Sequence, residues 1–278
     1  MFMSERAALL AAVIASPDDD VPRLVFADWL EENRDAERAV FIRAEIDAER
    51  SAPDSAEREY YETLAAKLVN LHGERWNREL PGWDAWYDTR AVYRRGFVEE
   101  LHTNFRTFTF NDAGLFRAAP IRMLALDSRS GALPNVAGLS VSVKVPPDLS
   151  RIEQFRLGPR LRFGPTDDSL ASPGNAARQL FDLLFTYPTL TNLRRLTLAQ
   201  LGLTNPVGEY VVRQLAGAPF RESLRELDLS GNRLTDSAAW TIAAVKGLDR
   251  LEHLNLRDNQ LTRAGLRVLE NRFGERLA

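Results

Sequence analysis

One eleven-residue frame recurs three times toward the C-terminus. It opens as Leu193-Arg194-Arg195-Leu196-Thr197-Leu198, as Leu224-Arg225-Glu226-Leu227-Asp228-Leu229, and as Leu251-Glu252-His253-Leu254-Asn255-Leu256. Each copy continues after two residues with Leu201, Asn232 or Asn259, and then with Leu203, Leu234 or Leu261. The alternating leucines have the period of a short strand. The first leucines stand 31 and 27 residues apart, which leaves room for a helix in every unit. Helical segments are readable over 206–216, 236–245 and 263–271, with Thr204, Thr235 and Thr262 just ahead of them as candidate N-caps. A strand and a helix of this size cannot bury their apolar faces alone, so neighbouring units must stack.

The frame is L-x-x-L-x-L-x-x-N-x-L, the leucine-rich-repeat signature. The expected fold class is therefore α/β, a right-handed leucine-rich-repeat solenoid with parallel strands on its concave side and helices on its convex side. The second and third leucines point into the core. Asparagine at the turn can satisfy backbone groups of the neighbouring coil through its amide. Upstream the frame weakens but persists as Ile152-Glu153-Gln154-Phe155-Arg156-Leu157 and Ile121-Arg122-Met123-Leu124-Ala125-Leu126, where Arg160 and Arg129 replace asparagine. Val98 to Thr103 reads as a first, capping strand, and Asn111 to Ala119 as the helix after it. An insertion rich in Pro and Gly, from Gly158 to Gly174, stretches one interval to 41 residues. The expected solenoid spans 95–278, with about five repeats plus an N-terminal cap.

The rest of the chain has a different character. Residues 1–90 carry 20 acidic against 11 basic side chains, and residues 91–278 carry 19 against 25. The acidic part reads as a small all-α domain. Leu9, Leu10, Val13 and Ile14 recur at helical spacing, and Ser16-Pro17-Asp18-Asp19-Asp20 is turn and capping chemistry. Pro22 suits a helical first turn, and Val25, Phe26, Trp29 and Leu30 form an apolar stripe. A third helix is expected over 36–50 with Ala39, Ile42 and Ile46 on one face. A fourth follows the loop 51–55, with Tyr60, Leu64, Leu68 and Leu71 on one face. The three consecutive aspartates lack the spaced ligands of a calcium loop and read as caps.

These residues carry a resemblance. Leu9, Ile14 and Pro17-Asp18-Asp19-Asp20, then Pro22-Arg23-Leu24-Val25-Phe26-Ala27-Asp28-Trp29-Leu30-Glu31-Glu32, then Arg38-Ala39 and Phe41-Ile42-Arg43 resemble the bacterial repeat-companion domain. That module of about fifty residues precedes repeat arrays; the likeness covers residues 4–50. It implies no catalytic residue and implies that repeats follow. The expected organisation is a companion domain over 1–50, a helix and aromatic linker or cap over 51–94, and the solenoid. Trp76, Trp83, Trp86, Tyr87, Tyr93 and Phe97 gather around that linker. They read as a cap over the raw end of the array, with an exposed protein-binding patch as the other reading.

Several classes of chemistry have no foothold. With zero cysteines the chain has no disulfide, thiolate metal site or thiol nucleophile. No phosphate-cradling glycine motif or nucleophile elbow occurs, and His72, His102 and His253 lack companions at metal-ligand spacing. No cofactor is expected. No apolar run reaches the ~18 residues of a membrane span. The run Ala7 to Ala15 behind Arg6 has the outline of a secretory signal, but Glu5 and the aspartates contradict it. A cytoplasmic location is expected, with no membrane partner. Arginine supplies 33 of the 36 basic side chains, spread without a cluster, so nucleic acid is not the expected partner.

The expected function is non-catalytic protein binding by a chain that is monomeric on its own. A rigid curved sheet holds outward side chains in a fixed lattice, which lowers the ordering cost of association. Places three, five and seven of the frame point outward. The candidate contacts are Gln154 and Arg156; Arg195 and Thr197; Glu226, Asp228 and Ser230; and His253, Asn255 and Arg257. On successive strands Arg195, then Glu226 with Asp228, then Arg257 would form a basic, an acidic and a basic stripe, suited to a mixed-charge polypeptide. The alternative is an enzymatic or toxin-like activity of the acidic segment, with Asp28, Glu31 and Glu32 as its carboxylates. That chemistry requires a cleft that separates their pKa values.

Overall fold

The computed structural model describes residues 4–81, 83, 89–104, 114–127, 148–158, 181–182, 184–204 and 207–278. The chain divides into two compact units, Met1–Leu101 with Asn111–Arg122, and His102–Phe110 with Met123–Ala278.

The first unit opens with four helices: α1 (Glu5–Ala15), α2 (Asp20–Glu32), α3 (Ala36–Arg50) and α4 (Ala56–Asn77). Each aspartate of the triplet has its own task. Asp19 caps α2 by accepting the Val21 N–H at 2.9 Å, Asp20 accepts from Arg50 at 2.7 Å, and Asp18 accepts from Arg122 at 2.5 Å. Val13, Phe26, Leu30, Ala39, Ile42, Ile46 and Phe97 form one core cluster. A second contains Phe41, Ala44, Ala65 and Trp76, and Leu64, Leu68 and Tyr93 pack against it half-buried.

The expected stripe on α4 is rotated. Tyr60 and Leu71 are 61% and 66% exposed, while Ala65, Gly73 and Trp76 turn inward. Apolar residues occupy more than one face of this helix, and its small residues permit the close approach. Trp76 stacks on Phe41 with ring centroids 4.9 Å apart. Trp76, Tyr93 and Phe97 thus belong to the core of their own unit rather than to an exposed patch. Trp86 and Tyr87 lie outside the described residues.

Arg90–Arg94, expected as linker, is a strand, β1; it precedes β2 (Phe97–Asn104). Arg95 and Gly96 join them with φ of 47° and 84°, the pair of positive values that a two-residue type I′ hairpin turn demands. A Cβ on Gly96 would stand 2.3 Å from Ile42 Cγ1, and its N–H donates to Glu45 Oε2 at 2.7 Å. Two arginines are buried in this unit. Arg23 donates to Pro17 O at 2.7 Å and to Glu99 Oε1 at 2.5 Å. Arg38 lies over Trp76 and Tyr93, 4.5 and 5.0 Å from the ring centroids; burial pushes its pKa down.

The second unit is a leucine-rich-repeat solenoid. Strands β3 (Met123–Asp127), β4 (Gln154–Leu157), β5 (Arg195–Thr197), β6 (Glu226–Asp228) and β7 (His253–Asn255) pair in parallel, each with the next. Within this unit the sheet order follows the chain, β3-β4-β5-β6-β7. Leu124, Phe155, Leu196, Leu227 and Leu254 fall in one row of the register and are all buried. Leu198, Leu229 and Leu256 are buried beside them. The connecting helices are α5 (Val207–Leu215), α6 (Asp236–Ala244) and α7 (Arg263–Phe273). Residues 114–118 are helical within the expected span. Arg129, Arg160 and the insertion beyond Gly158 lie outside the described residues.

Asparagine links successive coils. Asn232 Oδ1 accepts the N–H groups of Leu201 and Leu203 at 3.0 and 3.2 Å, and its Nδ2 donates to Leu198 O and Leu229 O at 2.9 and 2.8 Å. Asn259 repeats the arrangement with Leu234 N, Leu229 O and Leu256 O. Of the expected threonine caps, Thr262 accepts the Ala264 N–H at 3.1 Å, whereas Thr235 occupies the N-cap of α6 without a side-chain capping bond. The C-terminal end of α6 is closed from outside, since Arg272 donates to Ile242 O, Ala243 O and Val245 O.

Candidate functional site

The outward residues of the second unit's sheet form rows because the strands are in register. The first row runs Gln154, Arg195, Glu226, His253, and the second runs Arg156, Thr197, Asp228, Asn255. Ser230 and Arg257 extend past the strand ends in a third row, marked by the Gly231 N–H donating to Arg257 O at 2.9 Å. None of the ten candidates is fully buried.

A concavity of about 440 Å³ lies on this face. Six candidates line it: Gln154, Arg156, Arg195, Thr197, Asp228 and Ser230. Glu226, His253, Asn255 and Arg257 are not among its lining residues. Met123, Phe155, Ala199 and Gln200 complete the lining and were missed from the sequence. The signal for two of them was present: Met123 fills the third place of its frame and Ala199 the seventh place of its own.

The charges do not form the three stripes expected. Arg195 Nε and Nη2 both donate to the Glu226 carboxylate, at 2.6 and 2.5 Å. The first basic and acidic columns therefore close on each other. Hydrogen bonding to Arg195 holds the Glu226 carboxyl below its ordinary pKa, and the same bonds raise that of Arg195. Arg257 falls one row beyond Asp228 rather than beside it. Asp228 is partly spent at home, since its Oδ1 accepts the Ser230 N–H at 2.9 Å. Arg156 is exposed and has no ion pair among the described residues.

The carboxylates of the alternative reading sit on an open helix face. Arg43 bridges Asp28 and Glu31, each at 2.7 Å, and their side chains are 68% and 56% exposed. Glu32 is exposed as well. An exposed helix face is not the water-excluding cleft that acid–base chemistry of that kind requires. Among the described residues no group of three or more His, Asp or Glu side chains is arranged to hold a metal ion, and no helix is long and apolar enough to cross a membrane.

A family model described as Leucine Rich repeat matches residues 222–243 and 251–269. Those segments contain the second and third copies of the frame, so the chain carries C-terminal leucine-rich repeats. The crystal structure of a Bacteroides fragilis protein is similar at 21% identity, covering 57% of this chain and 41% of that one, with a TM-score of 0.41. The chain thus spans under half the length of that solved protein. No curated protein matches.

Proposed function

We propose that this chain is a non-catalytic protein–protein interaction scaffold, and that the concave sheet of its second unit is the binding face. The carrying observation is the concavity over β4 to β6, lined by polar side chains that neighbouring strands hold in place. Ion pairing of Arg195 with Glu226 and the Asp228–Ser230 turn fix these groups before a partner arrives. Pre-ordering of this kind removes part of the entropy cost of association. Exposed Arg156 on one side and the open Asp228 oxygen on the other suit a polypeptide of mixed charge, not a polyphosphate. The Arg195–Glu226 pair contributes shape and register more than net charge.

Residues 1–50 are the companion module that their sequence resembles, followed by the helix and aromatic segment over 51–94 and the repeats over 95–278. The ion-paired, exposed Asp28 and Glu31 support a binding role over an acid–base one. A monomeric, cytoplasmic chain without membrane, nucleic-acid or cofactor partners completes the reading.

Affinity capture from the native cell with three versions of the whole chain tests it. The wild type and Arg267→Glu, a change on exposed α7, should retain the same polypeptide. The double variant Arg156→Glu, Ser230→Arg should lose it while keeping the wild-type circular dichroism. Retention by the double variant, or loss by Arg267→Glu, would move the site off the concave face.

A further inference from the structure

The second outward row of the concave sheet runs Ala125, Arg156, Thr197, Asp228, Asn255 across five strands. Ala125 at one end is buried and Asn255 at the other is neutral, so Arg156 and Asp228 carry all the charge of the row. Arg156 is exposed and has no ion pair among the described residues. Asp228 uses Oδ1 to accept the Ser230 N–H at 2.9 Å, which leaves Oδ2 for a visitor. Thr197 stands between the two, and two strand spacings set their backbones about 9.6 Å apart.

The rest of the concavity adds no competing charge. Its charged lining residues are Arg156, Arg195 and Asp228, and Glu226 neutralises Arg195 at 2.5 Å. Gln154 Oε1 also accepts from Arg195 Nη1 at 3.4 Å. The first row is thus a wall of long side chains already engaged with one another. In the third row Ala199 and Ser230 are small, and the concavity extends over them. A trough therefore crosses the strands along the second and third rows.

The width of the trough favours an extended occupant. First and third rows stand four residues apart along a strand, about 13–14 Å, and the first-row side chains reach into that width. A helix measures about 10–12 Å across with its side chains and would ride on the wall. An extended segment reaches the floor at Thr197. Its side chains return to one face at every second residue, about 6.8 Å apart. The Arg156 side chain is long enough to cover the remaining distance of about 3 Å to an acid held in that spacing.

We infer that the trough reads an extended polypeptide segment with one acidic and one basic residue two positions apart, its carboxylate on Arg156 and its cation on Asp228. The inference rests on the concave sheet being the binding face, and adds which sequence that face selects. A run of acids would meet Asp228 and a run of bases would meet Arg156, so each is disfavoured. An acidic-x-basic segment crosses from β4 toward β6, and a basic-x-acidic one crosses the opposite way.

Selection of short random peptides displayed on phage, against the full chain, tests the inference. The wild type should enrich an acidic and a basic residue two positions apart. The enriched peptide, made synthetically with blocked ends, should bind Arg156→Glu and Asp228→Lys about tenfold or more weakly through charge reversal. Affinity should return when the peptide is changed to match: its acid to lysine for Arg156→Glu, its base to glutamate for Asp228→Lys. Asp228→Asn keeps an acceptor for the Ser230 N–H and gives a second route should the lysine variant fold poorly; it should remove the preference for the basic residue alone. Loss without rescue, enrichment of another charge pattern, or no enrichment overturns the inference. The binding face itself is judged separately by whole-chain capture, in which Arg156→Glu with Ser230→Arg removes the partner whatever its charge order.

Discussion

Removing the amide of Asn232 should be the most damaging small change in the repeat region. The side chain is 4% exposed and makes four contacts of 2.8 to 3.2 Å with backbone groups of two successive coils. A net worth near 1 kcal/mol for each such bond gives about 3–4 kcal/mol for Asn232→Ala, because alanine strands the N–H groups of Leu201 and Leu203 away from water. Asn259 makes three comparable contacts and is half-buried, so water can replace part of the loss and about 2 kcal/mol is expected. Thr241 serves as control: its hydroxyl donates to Ser237 O one helical turn back, and Thr241→Ala should cost about 0.5 kcal/mol. Asn232→Asp should be no milder than alanine, since it keeps the acceptor but turns a charge toward Leu198 O and Leu229 O. Urea unfolding followed by far-ultraviolet circular dichroism measures all four, with slopes compared because stacked repeats need not unfold as one step. Losses for Asn232→Ala no larger than for Thr241→Ala would refute the inter-coil role of asparagine.

Other consequences are sharper for particular residues. Gly96→Ala should destabilise the first unit by about 2 kcal/mol or more, since φ of 84° disfavours a side chain and the new Cβ meets Ile42; a normal melting curve would contradict the tight turn. Arg272→Met should cost about 1–3 kcal/mol by freeing the carbonyls that end α6, read as a lower urea midpoint. Burial pushes the Glu45 carboxyl above its ordinary 4.5, against the smaller pull of the Gly96 N–H and Arg38. The folded chain then holds a proton that the unfolded chain has lost, so stability is full below 4.5 and falls as pH rises toward the folded value. Glu45→Gln keeps an acceptor for Gly96 and should flatten that fall in melts from about pH 4 to about pH 8; an unchanged slope would place the titration elsewhere.

The repeat register was legible because L-x-x-L-x-L carries its own period, and one frame aligned five strands in the order observed. The asparagine ladder was legible for the same reason. The Arg195–Glu226 pair is within reach of the sequence, since both occupy the third place of adjacent frames and register makes such places neighbours across strands. Other features have no local signature. Arg23 and Arg38 read as surface residues from composition, and only the assembled core supplies the carbonyls and aromatic rings around them. The packing face of α4 is ambiguous because Tyr60, Leu64 and Leu71 compete with Tyr61, Ala65 and Trp76 around the same helix. β1 is short, carries arginine at both ends and follows an aromatic stretch, so its strand character emerges only from the Arg95–Gly96 turn.

The proposed use of the concave sheet is tested most directly by crosslinking from defined points in the native cell. A photoreactive amino acid at Ala199, inside the concavity, should give a discrete adduct with a polypeptide. The same group at Arg267, on exposed α7, should give none of that species. An adduct from Arg267 alone, a nucleic-acid adduct from Ala199, or no adduct from Ala199 would contradict protein binding at this face.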